Sequence, residues 1–246
     1  MVLSWFRKKE LSARLPGLLE SYPPFAPPHA GRTGKFNKSG PLLTLDQCRE
    51  NLDAYRAAMP ERLEVLRALL GELGVDMALA YSDPVAFVRQ LHPTLRVELP
   101  SVHRPELRSG TVQEISSRAG ADIALSFMAD LAMLESDVLM RAKPGCFIGL
   151  NLDPGDRDMY SYRRPCLLGL MDSLFPGAPD IFYLEEEWFN VLSRAEDPQR
   201  FALPDRVIPE AYGDVIGGPM LQRLDRDVVD PKLDERLRTT WLGKAA

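Results

Sequence analysis

Asp130 is the residue whose surroundings in the sequence are most informative about chemistry, because it is the only charged side chain between positions 123 and 134. An unpaired carboxylate in such an apolar segment would cost several kcal/mol. Asp137 lies seven residues further on, about 20° away around a helix. We predict a buried ion pair with an arginine such as Arg163 or Arg164. The alternative is a catalytic cleft in which Asp130 and Asp137 act as carboxylates and the two arginines hold an anionic substrate.

A second group of residues combines acidic and aromatic side chains. Glu185, Glu186 and Glu187 follow Tyr183 and directly precede Trp188. Acidic residues in the first turn of a helix interact favourably with its dipole, which is one interpretation of this cluster. The other is an acidic contact patch with aromatic anchors, a surface that would bind a basic protein partner.

The sequence contains no recognised motif for a metal, a nucleotide or a catalytic nucleophile. Neither His-Glu-x-x-His nor Cys-x-x-Cys occurs, and the phosphate-binding glycine patterns and Gly-x-Ser-x-Gly are missing too. Asp153, Asp156 and Asp158 share one loop, but its glycine and glutamate positions do not fit an EF-hand. Three separated cysteines indicate reduced thiols. We therefore expect no metal and no cofactor.

Composition limits the class of protein. The chain has 246 residues, a formal net charge of −5, and 45% hydrophobic residues, which is enough for a complete core. The acidic balance argues against nucleic acid as a partner, since phosphates require clustered basic residues. No window approaches the roughly 18 uninterrupted apolar residues of a membrane span. We expect a cytoplasmic protein that does not enter membranes.

The helices should be built around one long central element. Thr111 to Glu114 form a capping box, and the apolar residues that follow continue to about Ala142, on most sides of the helix. A second capping box at Thr44 begins a helix that Pro60 should interrupt, giving a helical hairpin with a second helix that ends near Gly74. Asp83 should cap a shorter helix that Pro93 stops.

The second half of the chain changes character. Short apolar runs at 146–152, 166–171 and 181–184 predict strands, and 185–194 looks helical. The predicted fold class is mainly helical α+β, with a central long helix packed by a helical hairpin and a small sheet in the C-terminal half.

The domain organisation follows from where prolines and glycines cluster. We predict an N-terminal helix and Pro/Gly-rich arm at 1–41, one globular core at 42–197, and an extended C-terminal arm at 198–246. A last short helix is predicted from Lys232 to Trp241. Either arm could wrap a second copy of the chain, so a homo-oligomer is possible.

Part of the chain resembles a loose group of uncharacterised bacterial proteins. The resemblance rests on the helix around Asp130, on Pro144, and on the run Tyr162-Arg163-Arg164-Pro165. Ser136-Asp137 stands where that group has Gly-Glu, and Phe147 stands where it has tryptophan. The match covers about half of the chain. Such proteins occur beside polymorphic toxins and secretion clusters, where small acidic helical proteins serve as immunity partners. The resemblance carries over no functional residue.

These observations favour a non-enzymatic cytoplasmic binding protein, of the toxin-immunity or adaptor kind, with a basic toxin as its partner. The alternative is the carboxylate-dependent enzyme acting on a small anionic substrate at Asp130, Asp137, Arg163 and Arg164.

Overall fold

The centre of the protein is helix α6, Ile123–Ala142. A computed structural model describes residues 13–34, 40–172, 179–202 and 209–232. Every side chain of α6 from Ala124 to Ser136 is buried, as are Val138 and Leu139. A helix apolar around its whole circumference belongs in the interior. The prediction of a buried central helix is confirmed.

The predicted start of this helix is wrong. Residues 111–122 contain the short helix α5, Gly110–Ile115, followed by coil and a single 3-10 turn at Gly120–Asp122. Arg118 and Gly120 both have a φ of 55°, which breaks a right-handed helix. The residue before α5 is Ser109, and Thr111 therefore lies inside the helix instead of capping it.

Helix α2, Leu45–Glu72, runs unbroken for 28 residues beside α6. Its capping box is confirmed, because the Thr44 hydroxyl accepts from the Gln47 amide and the Gln47 side chain accepts from the Thr44 amide. The predicted hairpin is wrong, because Pro60 lies within the helix. A proline removes one helical hydrogen bond, and the buried stripe that continues from Met59 to Leu70 outweighs this loss.

Three shorter helices complete the first half of the protein. These are α1, Leu15–Leu19, α3, Leu79–Ser82, and α4, Pro84–Glu98. Asp83 caps α4 as predicted, its carboxylate accepting from the Ala86 amide at 3.0 Å. Pro93 does not stop α4, which continues for five residues beyond it with Leu95 and Glu98 buried.

The sheet is small and antiparallel. Its central strand β2, Pro165–Asp172, pairs with β1, Phe147–Leu150, and with β3, Pro179–Tyr183. These three strands confirm the three predicted from apolar runs. A fourth strand, β4, Asp227–Val229, pairs with the end of β2. With its helices, this sheet gives the mainly helical α+β fold predicted from the sequence.

The segment predicted as an extended C-terminal arm is built into the fold where the structure describes it. Helix α7, Glu186–Arg194, is followed by α8, Gly218–Arg226, and then by β4. Ile216, Met220 and Leu221 are buried in the main core. The predicted helix Lys232–Trp241 falls almost wholly outside the described residues, as do positions 1–12 of the predicted N-terminal helix.

None of the helices in the described ranges has the length and apolar character needed to cross a membrane.

Candidate functional site: an arginine-lined pocket

A pocket lies where the N-terminal segment crosses the main core. We call residues 22–34 the strap. Alternate strap residues from Phe25 to Thr33 line the pocket, as the period of an extended chain requires. Helix α2 supplies Asn51 and Tyr55, four residues apart and therefore on one face. The empty space between the lining residues is about 590 Å³ when open solvent at the mouth is counted, and the part that can hold the centre of a water-sized molecule is about 50 Å³.

The strap is fixed over the pocket by hydrogen bonds to its backbone. The Asn51 amide group donates to the His29 carbonyl and accepts from the His29 amide, both at 2.9 Å. The Phe25 amide donates to the Ser126 hydroxyl at 2.8 Å. The Arg62 guanidinium donates to the Pro23 carbonyl at 2.8 Å. These contacts define the wall that the strap contributes.

Five charged side chains line the pocket: Glu114, Arg118, Arg163, Arg164 and Glu185. Arg118 donates two hydrogen bonds of 2.7 Å to Glu185, in the bidentate geometry typical of strong arginine–carboxylate pairs. Arg164 pairs with Glu114. Both of these ion pairs are buried. With three cations and two carboxylates, the described residues of the lining have a formal charge of +1.

Tyr183 connects the two ion pairs. Its hydroxyl donates to Glu185 at 3.2 Å and lies 3.4 Å from a terminal nitrogen of Arg164. The Arg164 guanidinium lies 4.2 Å from the ring centre of Tyr160 and 5.2 Å from that of Tyr183. These aromatic faces favour a cation between them. The position of Arg164 is therefore fixed from several directions.

Arg118 and Arg163 share an unusual backbone conformation. Their φ angles are 55° and 58°, and within the described ranges no other residue except glycine has a positive φ. The left-handed region costs an ordinary side chain about 1 kcal/mol or more, and such conformations cluster at functional sites. Both of these residues face the same pocket.

Four buried donors around the pocket have no hydrogen-bond partner in the part of the chain that the structure describes: the Tyr55 hydroxyl and the Nε of Arg118, Arg163 and Arg164. A buried donor without a partner costs about 1–3 kcal/mol. Arg163 packs its guanidinium 5.2 Å from the ring centre of Tyr162 and forms no ion pair with any described residue.

The protonation states of the lining make it a donor surface. Burial, followed by the charge of Glu185, raises the pKa of Tyr55 well above its ordinary value, so its hydroxyl keeps its proton at neutral pH. Burial opposes the charge of Arg118, but Glu185 raises the pKa of Arg118 overall. The pKa of Arg164 is raised as well, against the effect of its burial, by Tyr183, Tyr160 and Glu114.

Asp130 is buried and paired, but with a different arginine from the two predicted. Arg62 donates to the two carboxylate oxygens at 2.9 and 2.5 Å, and the Tyr22 hydroxyl also donates to this carboxylate. Burial raises the pKa of Asp130 despite these partners. Arg163 and Arg164 are not its partners because they lie in the pocket wall.

Asp137 belongs neither to the ion pair of Asp130 with Arg62 nor to the lining of the pocket. It accepts from the Tyr81 hydroxyl at 2.7 Å and pairs with Arg141 one turn along the same helix. Asp130, Asp137 and the two arginines therefore do not form the cleft of the predicted enzyme alternative.

The predicted acidic and aromatic contact patch does not form either. Tyr183, Glu185 and Trp188 are only 4–6% exposed. Glu185 binds Arg118, and the indole nitrogen of Trp188 donates to Glu135 at 2.9 Å. Glu186 and Glu187 occupy the first turn of α7, which agrees with the helix-dipole interpretation.

Most of the pocket could not be recognised from the sequence. Arg163 and Arg164 are candidate site residues on sequence grounds. In contrast, Tyr55 looks like one member of an apolar stripe, and Glu114 looks like part of a capping box. Arg118 has no local signal. A signal for the partner of Asp130 does exist, because Arg62 lies on the buried face of α2 between Met59 and Leu66.

The residues predicted not to bind metal occupy ordinary structural roles. Asp153 accepts from the Gly155 amide and Asp156 from the Asn151 side chain, as in a polar turn. The three cysteines are free and buried. No group of three or more potential metal ligands occurs among the residues that the structure describes.

No family model matches the chain, and no match is found among curated proteins or solved structures.

Proposed function

We propose that this chain is a binding protein whose functional site is the arginine-lined pocket, and that the pocket takes a small anionic group. The observation that carries this proposal is that four residues lining one cavity each hold a buried donor with no partner among the described residues. A native interior satisfies nearly all of its buried polar groups. An anion would accept from these donors and would also neutralise the excess positive charge of the lining.

The same geometry supports binding over catalysis. The two carboxylates of the lining, Glu114 and Glu185, are held in ion pairs with arginines, so neither is placed to act as a general base. The hydroxyls of Tyr55 and Tyr183 have pKa values raised well above the ordinary value and keep their protons. The lining offers hydrogen-bond donors and one cation, Arg163, that forms no ion pair within the described ranges.

A cytoplasmic toxin-immunity or adaptor role stays a prediction from the sequence resemblance. It belongs to the same class, since it is also a binding role. Of the acidic and aromatic residues that suggested a basic toxin, Tyr183, Glu185 and Trp188 are buried and Glu187 is paired with Arg223, so the pocket is the better place to look for the partner. That partner would present an anionic group rather than a basic one.

The proposal can be tested by calorimetric titration of the purified protein with acetate, benzoate and inorganic phosphate. We expect at least one of them to bind and to raise the melting temperature, as any ligand selective for the folded state must. Arg163→Gln should abolish both effects, because it removes the cation that has no ion-pair partner among the described residues and leaves a shorter, neutral polar side chain.

Arg157→Gln is the matched control. Arg157 is exposed and carries the same charge a short distance along the chain. Its replacement should leave the affinity unchanged. Equal loss in both variants would show that only net charge matters, and an absence of binding by the wild type would refute the proposal.

A further inference from the structure

We infer that the ligand is an organic monocarboxylate with an apolar or aromatic body, and not a phosphate dianion. This inference rests on the proposed function and narrows the chemistry of the same pocket. Three features of the lining support it: its net charge, the arrangement of its donors, and the character of its remaining walls.

The net charge favours a single negative charge on the ligand. Among the described residues of the lining, three arginines and two glutamates give a formal charge of +1, and a carboxylate neutralises it. A dianion would leave an uncompensated negative charge beside the two buried ion pairs. Such a charge is costly where water is excluded.

The arrangement of donors fits a carboxylate. The terminal nitrogens of Arg118 are both used by Glu185, and those of Arg164 contact Glu114 and Tyr183. In both residues the Nε is the nitrogen without a partner among the described residues. The Tyr55 hydroxyl and the Nε of Arg163 are in the same condition, so four donor atoms of the lining are unpartnered. A carboxylate has about four sites that accept hydrogen bonds.

Arg163 is the residue able to make a two-point contact. Its guanidinium has no ion pair with any described residue, and Tyr162 supports one of its faces. A planar guanidinium and a planar carboxylate match as two parallel hydrogen bonds.

The remaining walls are apolar. Phe25, Pro27, Leu43 and Pro165 line the pocket beside the aromatic rings of Tyr55 and Tyr183. Ligand sites commonly combine such walls with a few polar groups that fix orientation. The walls would bury the hydrocarbon part of the ligand, so an aromatic or branched carboxylate should bind more tightly than acetate.

The test compares four probes by calorimetry at pH 7.5: benzoate, acetate, phenyl phosphate and the neutral analogue benzamide. We expect benzoate to bind at least about tenfold more tightly than each of the others, a ratio equivalent to one 1.4 kcal/mol step in affinity. If phenyl phosphate binds as tightly as benzoate or more tightly, the inference is wrong while the proposed function survives. If no anion binds, both fail.

A second measurement changes the charge of the probe and leaves the protein sequence unchanged. The second pKa of a phosphate monoester is about 6. Phenyl phosphate should therefore gain affinity relative to benzoate between pH 7.5 and pH 5.5, as it becomes a monoanion. Benzoate serves as the reference for any change in the protein itself, because its own charge stays the same between these two pH values. If the ratio of the two affinities does not change with pH, the charge of the ligand does not decide which one the pocket prefers, and the inference is wrong.

Glu185→Gln and Glu114→Gln provide an independent check, because each makes the formal charge of the lining more positive by one unit. At pH 7.5, each variant that folds should bind phenyl phosphate more tightly relative to benzoate than the wild type does. An unchanged preference in a folded variant would contradict the inference.

Discussion

Among the described residues, three groups of buried charged side chains are each built on at least one arginine. One joins Asp130 to Arg62, the second lines the pocket, and the third lies between α6, α7 and α8. Buried ion pairs contribute little net stability, but removing one partner leaves an uncompensated charge. The effect of a single substitution therefore depends on which buried charge it leaves without a partner.

Arg62→Met should lower the free energy of unfolding by about 3–5 kcal/mol, because the buried Asp130 carboxylate loses its cation. The side chain of Arg62 is 7% exposed and that of Asp130 is 0% exposed. Arg67→Met is the matched control on the same helix, since Arg67 and Glu64 form an exposed pair worth roughly 0–1 kcal/mol. Urea denaturation measures the free energy of unfolding of both variants. An equal decrease in the two would show that the burial of the Asp130 pair does not matter.

The third group contains a carboxylate that titrates near neutrality. Glu135 accepts from Trp188 at 2.9 Å and from Arg223 at 3.1 Å, while Arg223 also binds Glu187. Burial, followed by the negative charge of Glu187, raises the pKa of Glu135 to about 7. One arginine thus serves two carboxylates.

This raised pKa predicts a pH dependence of stability. The folded state binds a proton at Glu135 below about pH 7, whereas the unfolded state binds it only below about pH 4.3. The free energy of unfolding should therefore rise as the pH falls from 7.5 to 5.5, because the folded state holds more protons in this range. Urea denaturation of the wild type and of Glu135→Gln isolates the effect, and an equal slope in both would disprove it.

Where a helix ends in this protein depends on tertiary contacts as well as on the sequence of the helix itself. Pro60 and Pro93 lie inside helices, while α5 ends close to a left-handed arginine. Gly218, the first residue of α8, is packed so closely that an added Cβ would lie 1.9 Å from the Tyr212 carbonyl oxygen.

Gly218→Ala should destabilise the protein by about 1–3 kcal/mol or more, because the backbone of residue 212 must move. Gly71→Ala provides the contrast, since no atom lies within 4 Å of its added Cβ and alanine favours a helix by roughly 0.5–1 kcal/mol. The melting temperature should fall for Gly218→Ala and rise for Gly71→Ala. A loss of stability in both would show that the contact at residue 212 is not the cause.

The elements that could be predicted are those specified locally. The capping box at Thr44 and the cap at Asp83 involve residues three positions apart, and the apolar runs of β1 to β3 are self-contained. The run of buried residues through Pro60 depends on α6, which lies far along the chain. The pocket joins residues from the strap to β3, and no local pattern brings Tyr55, Arg118 and Arg163 together.

The whole molecule is held together by its C-terminal segment as well as by α6. Residues 209–232 add a helix to the core and a strand to the sheet. Lys143 at the end of α6 donates to the Asp227 carbonyl at 2.6 Å, and the Asp230 amide donates to the Gly169 carbonyl at 2.9 Å. We therefore expect this segment to unfold together with the rest.

Ile216→Ala should lower the free energy of unfolding by about 2–5 kcal/mol, since Ile216 is 0% exposed and its loss leaves a cavity. Val228→Ala in the same segment should have a much smaller effect, because Val228 is 44% exposed. Circular dichroism and tryptophan fluorescence should report one shared transition. A main transition that Ile216→Ala does not move would show that the segment is independent.

The left-handed backbone of Arg163 favours ligand recognition at the expense of stability. Glycine adopts this backbone geometry without penalty, so selection for heat resistance alone would favour glycine at position 163. Arg118 differs, because its guanidinium also neutralises the buried Glu185. A descendant of this chain that no longer needs its ligand should therefore drift towards glycine at position 163, and one that keeps the arginine has retained a costly geometry for the sake of what it binds.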